Sequence, residues 1–507
     1  MKQFLITLSG IVTLFIISIR LCAQDASAKR IKTILVFFDG LRPDYVTPGI
    51  MPNLYSWRTT GSYNPAHHSI FPTFTRVNSA GYATGSYPGT NGLMGNEVYF
   101  PQIDPFKSLN TAQADVLDKL MTTTGGQLLT AVSLGEVLSA AGQQLMVFSN
   151  GSVGQAFFQN HKLNGAVIHP EWIRPVSIQE DVTKRVGAPP PFEELNKPRH
   201  QWITNALISY ALQENGPLVS AIWYTDPDET THVNGIGSSL SLQSLRIVDE
   251  QFGRLLNSLR EAGKQDAFNI IVSADHGFIT LKGNTDPTDL LIRKGIKESY
   301  TSDDVVLADN AIFVKKHDTA VIRRIVNVFQ REPWVGPIFT SAIAPNSDLG
   351  WVQGTFSFQS IHWNHPQRTA DILLSAHWDD MPNEAGYAGT SYAKGWKGSH
   401  GGISPYEINI GLIARGPSFK KKYTGKLPSS NVDIVPTVLY LNGLPIPSNM
   451  DGRVLHELLK DDRQQLSIPV KTELITTSAA CDTGTYTIEL ERSVLGQYRY
   501  VNYGRRN

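Results

Sequence analysis

Aspartate and histidine recur where strand-like runs end. Asp39 follows ILVFF, and Asp275 and His276 follow NIIVSA. Asp226 and Asp228 follow SAIWYT, and His232 stands four residues beyond Asp228. His400 lies in the glycine-rich stretch GWKGSHGG, where the backbone can approach a site closely. An aspartate after a strand usually caps or turns the chain, and a DH pair or an SHGG loop says little by itself. The set says more. Carboxylate oxygen with neutral imidazole nitrogen is the donor set of borderline divalent ions such as zinc. A second stretch, FPTFTRVNSAGYATGSYP (71–88), is rich in hydroxyls and carries one charge, Arg76. Its composition alone reads as a polar loop feeding a helix, with serine and threonine as caps and turn residues.

The elements that must position these residues follow from the hydrophobic pattern. Apolar runs at 32–40, 144–151, 217–226, 267–277 and 408–416 are bounded by turn residues. They suit strands buried between two helical layers. Helical patterns at 51–61, 134–142 and 241–263 alternate with them, the last two ending in glycine. Alternation of this kind implies an α/β fold with a mainly parallel sheet. Such sheets bind ligands outside the carboxyl ends of their strands, the end where the aspartates and histidines collect. A change of texture at 288–385 reads as a smaller inserted cap, whose Trp351, Trp363 and Trp378 are expected to wall the pocket. The division is then 24–287 with 386–465 for the catalytic α/β part, 288–385 for the cap and 466–507 for a C-terminal β extension.

With 507 residues and 41% hydrophobic content, the chain can bury a large core. Lys+Arg and Asp+Glu are both 45, so no basic excess points to a nucleic-acid polymer. The start, MKQFLITLSGIVTLFIISIRLCAQ, has the positive head, apolar run and small-residue exit of a signal peptide over 1–23. Export to the periplasm or medium follows, with no membrane span after cleavage near Ala23. A retained anchor is the alternative, and a lipid anchor at Cys22 is disfavoured by Arg20 and Leu21. The only cysteines are Cys22 and Cys481, so removal of the leader leaves no intramolecular disulfide. Oligomeric state is not legible.

Several blocks together resemble the alkaline phosphatase superfamily and, within it, the type I phosphodiesterase and nucleotide pyrophosphatase family. They are DGLRPDY (39–45), MPNL (51–54), FPTFTRVN and TGSYPGTNGLMGN (71–96), DPDETTH (226–232), SADHG (273–277) and GSHGG (398–402), with 431–453 resembling the closing segment. The resemblance implies a three-layer α/β/α sandwich with the inserted cap. It implies two divalent metal ions, zinc by ligand type. Asp39, Asp275, His276 and the Thr75 oxygen would hold one; Asp228, His232 and His400 would hold the other. Thr75 matches the family's nucleophile, and Asn96 matches its donor to a non-bridging phosphate oxygen. Thr73 and Asn78 match the flanking motif as loop-shaping residues. The implied substrate is a small phosphate ester, cleaved through a phosphothreonine.

One departure stands beside the nucleophile, where the family pattern has Phe-Pro-Asn and this chain has Arg76-Val77-Asn78. Arg76 either faces solvent or an acidic neighbour, or reaches the substrate phosphate and favours a dianionic monoester or phosphonate over a diester. A phosphomonoesterase or phosphonate hydrolase is therefore the nearest alternative. A catalytically silent binding protein is the alternative from another class. A sulfatase is disfavoured because Thr75 stands where that chemistry needs a cysteine.

Overall fold

The computed structural model describes residues 31–460, 468–482 and 484–507. The expected leader, 1–23, lies outside them. Eight strands form the main sheet: β1 (Lys32–Phe38), β2 (Ser62–Asn64), β3 (Leu145–Ser149), β4 (Gly165–Ile168), β5 (Val219–Tyr224), β6 (Phe268–Ser273), β7 (Leu412–Arg415) and β8 (Tyr423–Thr424). Their order is β8-β2-β7-β6-β1-β5-β3-β4. The five strands from β6 to β4 are parallel, and β7 pairs antiparallel with β6. The sheet is thus mainly parallel, as its apolar runs predict. The short β4 escapes the pattern because four residues give little periodicity. The run at 408–416 yields a shorter strand than expected, because Pro405–Ile408 coils into a helical turn first.

Both faces of the sheet are covered. Along β1, Ile34, Val36 and Phe38 pack on one side against α1 (Pro52–Thr60), α4 (Lys197–Ala211) and α6 (Ser239–Glu261). Leu35 and Phe37 pack on the other against α2 (Thr75–Thr84), α3 (Leu134–Ala140) and α7 (Ile434–Leu441). The alternation is the period-two geometry of a strand buried on both faces. In α6, Leu245, Val248, Phe252, Leu255 and Leu259 recur at three- and four-residue spacing and are all buried.

Register delivers the strand ends to one place. Phe38 pairs with Tyr224, and Phe37 pairs with Ser273. The residues just past these strands therefore emerge level. The Asp39 amide donates to Tyr224 O at 3.0 Å, and the Asp228 amide donates to Asp39 O at 3.0 Å.

Residues 288–385 contribute a five-stranded sheet, from Val305–Ala308, Ala311–Val314, Ile372–Ala376, Val335–Thr340 and Phe356–Ser357. A helix, Thr319–Gln330, buries Ile322, Ile325, Val326 and Phe329 on it. This core runs on into Phe71, Met94 and Ile403, and into Tyr486 and Ile488 of the C-terminal segment. The hairpin of Trp378–Pro382 with Ala388–Lys394 crosses residue 385. The C-terminal segment is an antiparallel meander of Val470–Cys481, Gly484–Leu495 and Tyr498–Arg506. Among the described residues no helix is long and apolar enough to cross a membrane.

Trp363 departs from its expected place on the pocket wall. It is fully buried, and its indole N–H donates to Met94 O at 2.9 Å. Trp351 also lies off the pocket, under the Arg323 guanidinium at 4.5 Å. Both tryptophans serve packing. Trp363→Ala is expected to cost about 3–5 kcal/mol, the usual loss for a large buried aromatic, read as a lower urea midpoint of unfolding.

Candidate active site

Three imidazoles and three carboxylates meet beyond the ends of β1, β5 and β6. Asp39 directly follows β1. Its Oδ2 accepts the Trp223 indole N–H at 3.0 Å. Asp275 follows β6, and its Oδ1 accepts the Gly40 amide at 3.1 Å. Asp228 opens a short helix, α5 (Asp228–Asn234), so His232 lies one turn on along the same face. Asp226, the other carboxylate of that loop, points elsewhere. Its Oδ2 meets His200 Nε2 at 2.8 Å, both side chains being fully buried, and its Oδ1 accepts from Thr230. Asp226 and His200 hold the turn that presents Asp228.

Every histidine of the cluster is oriented through Nδ1. His232 donates to Gly398 O at 3.0 Å, His400 to Thr73 O at 2.8 Å and His276 to Gly277 O at 2.9 Å. A carbonyl only accepts, so Nδ1 carries the proton in each ring and Nε2 faces inward, the arrangement of metal-binding histidines. Nε2 of His276 lies 3.0 Å from Asp275 Oδ2 and 3.5 Å from Asp39 Oδ1. Nε2 of His232 and of His400 lie 3.3 and 3.4 Å from Asp228 Oδ1. The His276 and His400 rings stack with centroids 3.6 Å apart.

These carboxylate oxygens, Asp39 Oδ1, Asp228 Oδ1 and Asp275 Oδ2, are buried and accept no hydrogen bond of good geometry. Buried polar atoms are rarely left so. Their neighbours show what is wanted. Burial and the charges of Asp275 and Asp228 hold the Asp39 carboxyl well above the usual carboxylate range. Burial alone would lower His232, yet Asp228 overrides it and raises the imidazole to about 9. Burial and the stacked His276 push His400 well below its ordinary value, so a proton cannot serve there. The carboxylates raise both His232 and His276, so the cluster favours positive charge, and a divalent cation fits it. Ligand atoms lie within 4.8 Å of one another in two groups, Asp228 with His232 and His400, and Asp39 with Asp228 and His276. Asp228 belongs to both, whereas the sequence reading confines it to one.

Thr75 is the first residue of α2, and its Oγ1 stands 3.2 Å from His276 Nε2. The helix N-terminus adds a favourable dipole for an anion there. Asn78 fixes the approach to this turn: its Oδ1 accepts the Ile70 amide at 2.9 Å, and its Nδ2 donates to Phe74 O at 3.1 Å. Thr73 Oγ1 donates to Gly402 O at 2.8 Å and accepts the Gly401 amide at 2.9 Å. It clasps the His400 loop to the Thr75 loop. Both residues shape loops, as their motif implies.

Arg76 and Asn96 are tied to each other. The Arg76 amide donates to Asn96 Oδ1 at 3.0 Å, so that amide is spent within the protein and is no free phosphate donor. Asn96 is thereby turned to leave Nδ2 as its donor. The Arg76 guanidinium donates to Thr111 Oγ1 at 2.9 Å, Asn96 O at 3.2 Å and Asn110 Oδ1 at 3.3 Å. It braces the Asn96 loop. The cap segment helps. Asp309 Oδ2 accepts the Glu97 amide at 2.7 Å, and Asn310 Nδ2 donates to Gly401 O at 3.3 Å.

Sequence reasoning missed Trp223, Asp309, Asn310 and Asn431, whose Nδ2 donates to Asn78 Oδ1 at 2.8 Å and Asp275 O at 3.1 Å. Only Asn431 had a signal, its place in the closing segment 431–453. Two cavities open beside the cluster. One of about 240 Å³ is lined by Phe74, Asp309, Trp378, Lys394 and His400, so Trp378 does wall the site. The other, about 400 Å³, is lined by Glu229, His232, Gly395, Trp396 and Ser399.

Comparison with known proteins gives a consistent picture. Residues 33–399 match the family model of type I phosphodiesterase / nucleotide pyrophosphatase. Ectonucleotide pyrophosphatase/phosphodiesterase family member 1 of Rattus norvegicus is 25% identical over 250 residues, 48% of this chain and 24% of that protein. Venom phosphodiesterase 2 of Crotalus adamanteus is 26% identical over 246 residues, 48% of this chain and 26% of that protein. The chain spans about a quarter of the length of these relatives. Murine ectonucleotide pyrophosphatase/phosphodiesterase 5, solved as an inactive threonine-to-alanine form with AMP, superposes with a TM-score of 0.61 at 18% identity. That likeness covers 85% of this chain and 100% of the other, and it establishes an alkaline-phosphatase-like fold.

The shared position of Asp228 yields a test of the cluster. The purified protein is expected to carry divalent metal by elemental mass spectrometry. Asp228→Ala should lose more of it than His232→Ala. Equal losses would mean that Asp228 serves one group only.

Proposed function

Because the chain belongs to the type I phosphodiesterase / nucleotide pyrophosphatase family, we propose that it is a hydrolase of phosphoric ester bonds in which Thr75 attacks phosphorus. The observation that carries this reading is Thr75 Oγ1 at the head of α2, 3.2 Å from Nε2 of His276, a member of one candidate ligand group. Two divalent ions, zinc by donor type, held by Asp39, Asp275, His276 and Thr75 and by Asp228, His232 and His400, would supply the positive charge that favours a threonine alkoxide and offsets charge on the phosphoryl group. Asn96 Nδ2 donates to a non-bridging phosphate oxygen, since its Oδ1 is held by the Arg76 amide. Thr75 Oγ1 loses its proton and bonds phosphorus, while the bond from phosphorus to the leaving oxygen breaks. The leaving oxygen takes a proton from solvent. Water then attacks the phosphothreonine, restores the Thr75 hydroxyl and releases the phosphate product, with two inversions giving net retention.

The relatives support this choice among phosphate esters. The venom relatives are named phosphodiesterases. The murine structure is inactive with its threonine replaced and holds AMP, which supports a threonine nucleophile and a nucleotide-sized substrate. A monoester or phosphonate preference would draw on the Arg76 charge; the guanidinium is oriented by Thr111, Asn96 and Asn110, which are neutral acceptors and leave that charge in place. Relatives named as ectoenzymes or venom enzymes, with the leader-like start, favour action outside the cytoplasm.

Turnover of bis-p-nitrophenyl phosphate, p-nitrophenyl phosphate and a phosphonate tests the reading. Thr75→Ala is expected to abolish diester hydrolysis with the fold retained by circular dichroism. Loss of one oriented donor in Asn96→Ala should lower kcat roughly 100- to 1,000-fold. Arg76→Ala should lower diester and monoester turnover by the same factor, because Arg76 acts through Asn96. A selective loss on the monoester would show the phosphate-charge role.

A further inference from the structure

Trp396 is the most exposed large hydrophobic side chain among the described residues, at 69% of its free surface. Its loop is held on both sides. The Lys397 amide donates to His232 O at 3.2 Å, and Gly398 O accepts from His232 Nδ1 at 3.0 Å. Flanking glycines press the loop onto the small sheet beneath it. A Cβ at Gly395 would lie 2.4 Å from Leu281 Cδ1, and one at Gly398 3.0 Å from Phe278 Cε1. The backbone on both sides of this exposed indole is thus held beside a candidate ligand, and the indole itself lines a cavity there.

Its place relative to Thr75 says which part of a substrate it meets. Thr75 contacts His276, His276 stacks on His400, and the His400 and His232 rings lie 5.1 Å apart. His232 is the far end of that series, and the cavity of about 400 Å³ opens there. In-line displacement expels the leaving group opposite the nucleophile. The lining, Glu229, His232, Gly395, Trp396 and Ser399, includes no lysine or arginine, so it offers nothing to a polyphosphate. An indole face stacks on a planar ring.

We propose that the cavity between His232 and Trp396 is a leaving-group subsite for an uncharged planar ring, aryl or nucleobase, stacked on Trp396. The inference rests on the phosphoric-ester reading above and adds to it a preference for ring-bearing alcohols over pyrophosphate as leaving groups.

The test compares p-nitrophenyl and methyl diesters of one nucleoside phosphate, each measured on wild-type protein, Trp396→Ala and Trp396→Phe. The aryl-to-methyl ratio of kcat/KM should fall roughly ten-fold in W396A, the scale of one lost stacking contact. It should stay within about two-fold of wild type in W396F, which keeps a ring. Binding is read separately, by quenching of tryptophan fluorescence when bis-p-nitrophenyl phosphate is added to the Thr75→Ala protein. That quenching should weaken in the Thr75→Ala, Trp396→Ala double variant. An unchanged ratio in W396A, with both esters turned over by wild type, overturns the subsite. No turnover of either ester by wild type, together with Trp396-dependent quenching, overturns the esterase reading and with it the leaving-group role, leaving Trp396 as a ring-binding site only.

Discussion

Three carboxylates that repel one another are held together in a buried pocket, and the surrounding architecture serves to keep them there. Asp39 and Asp275 follow adjacent parallel strands in register, and the turn held by Asp226 and His200 brings Asp228 to them. Each has one oxygen that accepts no hydrogen bond. Like charges in a low-dielectric setting are costly. The burden is shared first with fixed donors, the Trp223 indole on Asp39 and the Gly40 amide on Asp275. A cation among the inward imidazole nitrogens would meet the rest. A cluster this strained without such a cation would be hard to account for as a packing device.

The imidazoles depend on one another's loops. His232 leans on a carbonyl of the His400 loop, and His400 leans on Thr73 in the Thr75 loop. Thr73 in turn clasps Gly401 and Gly402, and Glu407 pins Gly402 through its amide at 2.7 Å. Asn431 ties Asn78 to the Asp275 carbonyl. No ligand loop is therefore set independently of the others. Site geometry of this kind forms cooperatively, and a disturbance at Thr73 or Asn78 reaches ligands that neither residue touches.

What was legible in the sequence follows the same division. Asp39, Asp228, Asp275 and His276 were readable because a buried parallel strand announces itself by composition and its carboxyl end has a fixed meaning. Thr75 was not readable from its own stretch, since a helix-starting threonine resembles any cap. Its meaning came from the wider resemblance. The choice between Asp226 and Asp228 depends on a partner far back in the chain, His200, which no local pattern names. The bracing role of Arg76 was hidden for a similar reason. Its partners, Asn96, Asn110 and Thr111, lie in a separate loop, and only the folded path brings them under the guanidinium. Trp351 and Trp363 looked like pocket walls, yet aromatic residues in a large insert are first of all core material.

The loops that orient the ligands also build the walls of the two cavities, and this limits where specificity can change. Gly401, with φ near +105° and Phe74 Cε1 2.2 Å from where its Cβ would be, leaves no room for a side chain. Thr73 and Glu407 are likewise fully committed to backbone atoms of the His400 loop. Trp396 is different. It rides the loop that abuts His232, yet the bonds that fix that loop are made by the backbone of Lys397 and Gly398, not by its side chain. Asp309 and Trp378 reach the other cavity from segments remote from the ligands. Substitution at the exposed Trp396 alters a wall without moving a ligand. A rigid charge cluster can thus accept different substrates while its own geometry stays fixed, because the backbone bears the ligands and the exposed side chains bear the choice.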